Sequence, residues 1–452
     1  MMNSTAFIFR IVVILVLLAS CQIPFAAKAA VACQWDFFGT LALTPELQGL
    51  KNKYGDEVKL EGVTVRIAGR KKVAGIWGNY LPWGDVKTDA NGYFRLKIKK
   101  ACGERKFRVR IRFQESNLEV RHKRATSSTT KVKWHDIYTD VTRSKIRWNF
   151  GTLKFQQGKK GPLGEFEPRR HGQIWTVYRD AMKWLNAQGK HHRFKGKVKV
   201  KYPHNGITGD AAEASYVNPT TKVIYIVKNS KKDQFDTKTL LHELGHKWAY
   251  DHSNGEFCLT TELLLTGNTH GTVDSSCVAF HEGFAEYFAD EMLRVLQYRG
   301  PRIRPNSRSY MKSGGYWGVP VTNLDRMQRT DEGWRTFFHI LDQRAVDIFT
   351  FNAGYDPRTT SSRKKTRPIQ IAKPKRATCR LTPELLKFSE ILRVFSNPAG
   401  SSGHMSKSET TIPRFLSRAR RVFPRISNEQ IRTYRALADP SSSVEPWERM
   451  KC

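Results

Sequence analysis

The sequence predicts a multidomain protein in which an N-terminal all-β sandwich is followed by an α+β domain with a helical C-terminal part. The first observation behind this prediction is a period-two alternation of apolar and polar residues between about residues 33 and 155. The second is the helical spacing of apolar residues in several later segments. The third is size, because 452 residues with 39% hydrophobic content are enough for two or three domains.

The N-terminus has the pattern of an export signal. A short apolar run at residues 11–18, followed by small residues at 27–29, predicts a signal peptide over residues 1–29. Residues 18–21 also fit a bacterial lipoprotein signal, in which Cys21 would carry the lipid. We therefore expect an exported protein, periplasmic or extracellular, with lipid anchoring to a membrane as an open alternative. No apolar run has the roughly 18 residues of a membrane-spanning helix.

The cysteine content also fits an oxidising compartment. Of the seven Cys, removal or acylation of Cys21 leaves an even number for disulfides. We predict a Cys258–Cys277 bridge, because these residues are close in sequence, and a Cys33–Cys102 bridge. The sequence contains no CxxC motif, so neither dithiol redox chemistry nor a cysteine zinc site is expected.

The net charge is strongly positive, since 77 Lys and Arg face 41 Asp and Glu, a balance of +36. Such a charge favours polyanions, and in a cytosolic protein nucleic acid would be considered first. Export makes anionic cell-envelope polymers or lipid headgroups the expected partners instead, and no nucleic-acid-binding motif is present. A basic surface that is merely solvated is the alternative.

Residues 33–155 are predicted to form antiparallel strands with apolar inward faces and basic outward faces. Asn91 and Gly92 tolerate positive φ and predict a hairpin turn. The alternation is clearest in three sets of inward residues: Val63, Val65 and Ile67; Phe94, Leu96 and Ile98; Phe107, Val109, Ile111 and Phe113.

Two motifs in this region, GVTV at residues 62–65 and TDANGYF at residues 88–94, resemble a known type of module. They are similar to the small β-sandwiches of the transthyretin-like and carboxypeptidase-regulatory-like type. The resemblance covers roughly residues 58–122. It implies an accessory or docking domain without catalysis of its own.

The rest of the chain divides into four segments. Residues 156–172 predict a linker, 173–350 the α+β domain, 351–380 a basic solvated loop and 381–452 a helical region. Asp236 is the predicted N-cap of a helix with Leu240, Leu241, Leu244 and Trp248 on its apolar side. The other expected elements are a helix containing Ile174, Val177, Tyr178, Ala181 and Leu185, strands at 198–202 and 223–226, and helices starting near Thr382 and spanning 414–423 and 428–437.

The segment HELGH, residues 242–246, carries the strongest chemical signal. On a helix, His242 and His246 are one turn apart and point the same way, which suits two ligands of one zinc ion. Glu243 lies about 100° round the helix, where it is placed to reach a metal-bound water rather than the metal.

A second motif, EGFAEY, begins at Glu282 and offers the third ligand that a catalytic zinc needs. Glu286, one turn later on the same face, could accept a ring N–H from His242 or His246 and fix its tautomer. Over roughly residues 220–295, the two motifs closely resemble the gluzincin zinc metallopeptidases, the group that includes thermolysin. The resemblance implies a zincin-like domain with one Zn²⁺ bound by the two histidines and Glu282.

A competing third ligand is His252, whose spacing from His246 matches the metzincin peptidases. That motif normally has Gly where this chain has Ala249, and the Gly lets the helix break so that the third His can return to the metal. If the helix continues, His252 lies about 240° round from His246. Met311 could imitate the metzincin Met-turn, so this alternative stays open.

The function implied is zinc-dependent hydrolysis of peptide bonds in a peptide or protein substrate. Glu243 would act as the general base on a zinc-bound water and then protonate the leaving amine. The absence of a GxMEN-like stretch makes an endopeptidase the default rather than an aminopeptidase. The candidates for stabilising the oxyanion are Tyr310, Tyr316 and His339. The alternative function is a non-catalytic envelope protein whose basic surface holds anionic polymers and whose zinc site is inert or structural.

Overall fold

The computed structural model of the protein has a fold that combines mixed sheets with helices. The N-terminal part is rich in strands and the C-terminal part is helical, in the order that the sequence predicts. The predicted signal peptide, with Cys21, lies outside the described residues. No described helix combines the length and apolar character that crossing a bilayer requires. The structure describes residues 32–73, 75–122, 134–143, 146–156, 168–204, 215–227, 235–252, 276–298, 328–329, 331–342, 345–349, 376–380, 385–396, 405 and 409–438.

Two sheets make up most of the strand-rich part. Its elements, in chain order, are β1 (Ala32–Leu43), α1 (Gln48–Tyr54), β2 (Val58–Lys59), β3 (Thr64–Val73), β4 (Ile76–Trp77), β5 (Leu81–Lys87), β6 (Tyr93–Ala101), β7 (Arg105–Arg112), β8 (Leu118–His122), β9 (His135–Arg143) and β10 (Arg147–Phe155). One sheet has the order β10-β1-β2, with β6 also on β1. The other has the order β4-β3-β7-β9, with β5 also on β3.

The predicted alternation is confirmed where β3 pairs with β7. Val65 lies opposite Ile111 and Ile67 opposite Val109, and all four are fully buried. These strands, like β1 and β6, are antiparallel as expected. The pairing of β1 with β10 is parallel and was not predicted. A parallel pair needs a long crossover, and here the whole set of intervening strands provides it, which local periodicity cannot reveal.

The predicted turn before β6 is also confirmed. Gly92 has φ +69°, and the Asp89 carboxylate accepts hydrogen bonds from the backbone N–H groups of Asn91 and Tyr93, both at 2.9 Å. A Cβ at Gly92 would lie 2.3 Å from the carbonyl oxygen of Leu41. Glycine is therefore required here both by the backbone conformation and by the close approach of β1.

Of the predicted disulfides, Cys33–Cys102 is present, with the two Cα atoms 5.0 Å apart. It joins the start of β1 to the connection between β6 and β7. Cys277 is also disulfide-bonded, whereas Cys258, its predicted partner, lies outside the described residues.

A third sheet connects the strand-rich part to the rest of the chain. It has the order β12-β13-β11-β8, with β11 (Val198–His204), β12 (Tyr216–Val217) and β13 (Val223–Val227). β8 comes from the predicted sandwich and pairs in parallel with β11, which lies beyond the predicted linker. The assignment of residues 33–155 and 173–350 to separate domains therefore stays a prediction.

The helix α2 (Pro168–Ala187) begins earlier than expected, since its first turn falls within the predicted linker 156–172. Proline is favoured in the first turn of a helix, where its missing N–H is no loss. Gly172 brings this turn against β1, because a Cβ there would lie 2.7 Å from a methyl carbon of Leu43. Tertiary packing on the sheet therefore keeps this Gly- and Arg-containing segment helical.

The remaining helices are α3 (Thr237–His252), α4 (Ser276–Val295), α5 (Asp331–Asp342), α6 (Phe388–Ser396), α7 (Ile412–Val422) and α8 (Asn428–Ala438). The N-cap prediction for α3 is confirmed, because Asp236 Oδ1 accepts the backbone N–H of Thr239 at 2.7 Å. The C-terminal part is helical, as predicted, in α6, α7 and α8, but α6 begins at Phe388 and not near Thr382.

One correction concerns the predicted basic loop 351–380. Its last residues form the strand β15 (Arg376–Arg380), which pairs antiparallel with β14 (Ala345–Phe349). The strand has no apolar alternation of its own, so the backbone hydrogen bonds to β14 define it. Residues 351–375 lie outside the described part of the chain.

Candidate metal centre

The site is built where α3 packs against α4, and a glycine sets their separation. A Cβ at Gly245 would lie 3.1 Å from the Cα of Ala285 and 3.1 Å from the Cβ of Phe288. The absence of a side chain at Gly245 therefore lets the HELGH helix approach the helix that carries Glu282.

Three donor atoms converge between the two helices. The Nε2 atoms of His242 and His246 are 3.0 Å apart, and Glu282 Oε2 lies 3.1 Å from the second and 3.4 Å from the first. All three side chains are buried. In tetrahedral zinc sites with bonds of about 2.0 Å, neighbouring ligand atoms are about 3.3 Å apart. The donor chemistry and spacing thus fit one zinc ion.

Glu286 orients the first histidine. Its Oε1 lies 3.2 Å from His242 Nδ1, a position that favours a proton on Nδ1 and leaves Nε2 as the ring nitrogen that faces the cluster. Lys238 and Arg335 hold the other oxygen of Glu286 at 2.5 and 3.3 Å. Burial opposes ionisation of Glu286, but the hydrogen bond to His242 and the two cations hold its pKa well below the ordinary value.

His242 itself lies in a strongly negative field. Burial disfavours a charged ring, yet the nearby carboxylates of Glu282, Glu286 and Glu243 outweigh it and raise the pKa of His242 well above its usual value. The same negative field that stabilises a proton on this ring also favours a divalent cation at Nε2.

Glu243 is buried beside the donor triangle but does not belong to it. Its charge acts on Tyr178 of α2, which the sequence predicts only as an apolar position of a helix. Burial and the charge of Glu243 together raise the pKa of the Tyr178 phenol well above its usual value. Tyr178 is fully buried, and its high pKa keeps the phenol protonated.

Two other residues near the site, Lys238 and Arg335, were not predicted from the sequence. Lys238 precedes His242 by four residues, so helical periodicity alone could have placed it on the same face. Arg335 comes from α5 and carries no local signal. It also contacts Asp290 on α4, with Nε 2.7 Å from Oδ2, which connects α5 to the ligand-bearing helix.

The alternative ligand His252 lies elsewhere. α3 runs unbroken through Ala249 to its end at His252, whose Nε2 contacts the carbonyl oxygen of Arg193 at 2.9 Å. Its ring lies against Trp248, with centroids 4.3 Å apart. The described cluster of potential ligands contains His242, His246 and Glu282 and does not include His252. The continuous helix is the physical reason, and Met311 lies outside the described residues.

Of the three candidates for stabilising an oxyanion, only His339 is described. Its Nε2 contacts Asp290 Oδ2 at 3.2 Å. Asp290 follows Glu282 by two helical turns, which is about 12 Å along the axis of α4. His339 therefore contacts α4 about two turns away from Glu282, and Tyr310 and Tyr316 lie outside the described residues.

The comparisons with known proteins do not indicate an activity for this chain. No protein-family model matches the chain. Over 240 residues it is 24% identical to an uncharacterized protein of Archaeoglobus fulgidus, a match that covers 47% of this chain and 65% of that protein. A 9R-lipoxygenase from Cyanothece shares 14% identity over 35% of this chain and 24% of the lipoxygenase, with a TM-score of 0.17. That score is too low to support an argument about fold, so the functional argument rests on the site itself.

Proposed function

We propose that this protein is an exported, gluzincin-like zinc peptidase that cleaves peptide bonds, with endopeptidase action as the default. The observation that carries the proposal is the convergence of His242, His246 and Glu282 from two helices, with Glu243 buried beside them but outside the triangle. A structural zinc site usually has four protein ligands, whereas a catalytic one has three and an open position. The three described donors support the catalytic kind.

The residues of the site would have two roles, metal binding and proton transfer. When bound, Zn²⁺ would supply a Lewis acid that lowers the pKa of a coordinated water towards neutrality and polarises a carbonyl group. Glu243 would take the proton of the attacking water and pass it to the leaving amine. Glu286 would keep the His242 ring in the tautomer that presents Nε2.

The test is metal content and peptide cleavage measured on the same preparations. Glu243→Gln should retain zinc and lose cleavage of an unbiased peptide mixture by at least about a hundredfold, since general base catalysis contributes 10²–10⁴-fold. Glu282→Ala should lose zinc as well. His252→Gln is the matched control and should retain zinc if it folds. Full cleavage by Glu243→Gln would refute the mechanism, and zinc loss in His252→Gln but not in Glu282→Ala would refute the ligand set.

A further inference from the structure

The end of the strand-rich part where β1 begins carries exposed apolar side chains. Among the described residues, the two most exposed large apolar side chains are Ile76 at 74% and Leu81 at 65%. Ile76 lies in the hairpin of β3 and β4, and Leu81 starts β5 opposite Gly69 of β3. Ile146, exposed at 46%, lies beside the start of β1, where its carbonyl oxygen accepts the N–H of Asp36 at 2.8 Å. Exposed apolar side chains that share one end of a domain and are rimmed by polar residues are typical of an interaction surface.

Aromatic and cationic side chains occur on the same strands. Lys106 Nζ lies 4.8 Å from the centroid of the Trp77 ring, and the guanidinium of Arg70 lies 4.6 Å from that of Tyr80. Lys71 and Lys72 are exposed at the end of β3, and Lys100 is exposed near the end of β6. Within the described part of the chain, no carboxylate forms an ion pair with these three lysines. Glu104 is the acidic residue of the adjoining turn.

The register of the strands places the start of the described chain at this same end. Ala32 lies opposite Ala101, and Arg105, which follows the next turn, lies opposite Lys71. The Cys33–Cys102 disulfide holds the first strand to that turn.

We propose that this end, which we call the docking end, binds the surface of an anionic lipid bilayer. It consists of Arg70, Lys71, Lys72, Ile76, Trp77, Tyr80, Leu81, Lys100 and Lys106. Isoleucine and leucine side chains enter the acyl boundary, tryptophan and tyrosine prefer the headgroup level, and lysines are attracted to anionic headgroups. A soluble anionic polymer would use the lysines but not the exposed aliphatic groups, and a second copy of this end would repel the first.

The proposal is tested by measuring how residues 30–452 bind to lipid vesicles. This is the form that removal of the signal peptide would leave. This form should sediment with vesicles in which about a third of the lipid is phosphatidylglycerol, and much less with pure phosphatidylcholine vesicles. Ile76→Ser combined with Leu81→Ser should lower the partition coefficient about tenfold or more. Both positions are exposed, so zinc content and unfolding temperature should stay unchanged.

Two double variants with the same change in net charge distinguish the effect of the docking end on vesicle binding from the effect of the overall charge. Lys71→Glu with Lys72→Glu should lower vesicle binding at least tenfold, whereas Lys51→Glu with Lys190→Glu, the same change at exposed positions away from this end, should lower it less than about threefold. Equal losses in the two pairs would overturn the proposal. A polymer would be the partner instead if the protein did not bind the vesicles but did bind soluble dextran sulfate, and if the docking-end variants lost that binding. This result would overturn the proposal.

Discussion

The Glu286 carboxylate faces Nδ1 of His242 from one helical turn beyond Glu282, so a single face of α4 both closes the donor triangle and contacts one of its histidines from behind. The distance between Glu286 Oε1 and His242 Nδ1 is 3.2 Å. The arrangement explains why two glutamates four residues apart occur in the second motif. One contributes an oxygen to the cluster, and the other fixes which nitrogen of His242 faces it.

Replacing this orienting carboxylate should weaken metal binding without removing a ligand. We expect Glu286→Ala to raise the dissociation constant for Zn²⁺ by about 10–100-fold, the usual effect of losing such a partner. Glu286→Gln keeps an acceptor oxygen and should have a smaller effect. Competition titration with a chelator measures both values. An unchanged affinity in Glu286→Ala would contradict the assigned role.

Zinc binding should release protons at neutral pH. The carboxylates near His242 raise its pKa well above the usual value despite burial, so the metal-free ring binds a proton that zinc must displace. Affinity should consequently increase as pH rises through neutrality and fall in acid. Calorimetry in buffers of different ionisation enthalpy should show about one proton released near pH 7. Release of no proton would show that the ring is already neutral.

The close approach of α3 and α4 should depend on Gly245. Gly245→Ala gains up to about 1 kcal/mol of helix propensity, but overpacking against the Ala285 backbone costs about 1–3 kcal/mol. We expect a net loss of about 1 kcal/mol in the free energy of unfolding, together with weaker zinc binding. Urea unfolding of chelator-treated protein and a zinc titration check this expectation. Gly78→Ala is the control, because its Cβ would meet no atom closer than 3.7 Å. A more stable Gly245→Ala protein with unchanged zinc affinity would contradict the packing argument.

The Cys33–Cys102 disulfide should stabilise the strand-rich part and leave the metal centre intact. It closes a sequence separation of 69 residues, for which chain-entropy arguments give about 4 kcal/mol. The double substitution Cys33→Ser with Cys102→Ser should lower the free energy of unfolding by up to that amount, as measured in urea at neutral pH. Zinc content should not change. Substitution is preferable to a reductant because Cys277 is also disulfide-bonded.

Much of the local structure was predictable because it follows from short-range geometry. The period-two alternation of β3 and β7 identified their inward faces, and the Asn91–Gly92 turn follows from backbone sterics. Asp236 was recognisable as a cap because its carboxylate can reach the backbone N–H of Thr239. The start of α2 and the strand β15 were missed because both depend on partners distant in sequence.

By itself, the sequence determined that His242 and His246 share one face of a helix and that Glu243 does not, because an α-helix repeats every 3.6 residues. It left the third donor open between Glu282 and His252. The tertiary structure brings Glu282 to the pair and directs His252 to Arg193. It also places β8 in a sheet with β11 and β1 beside β10. Each of these outcomes depends on contacts between segments far apart in the chain, whose packing free energy has no local periodic signature.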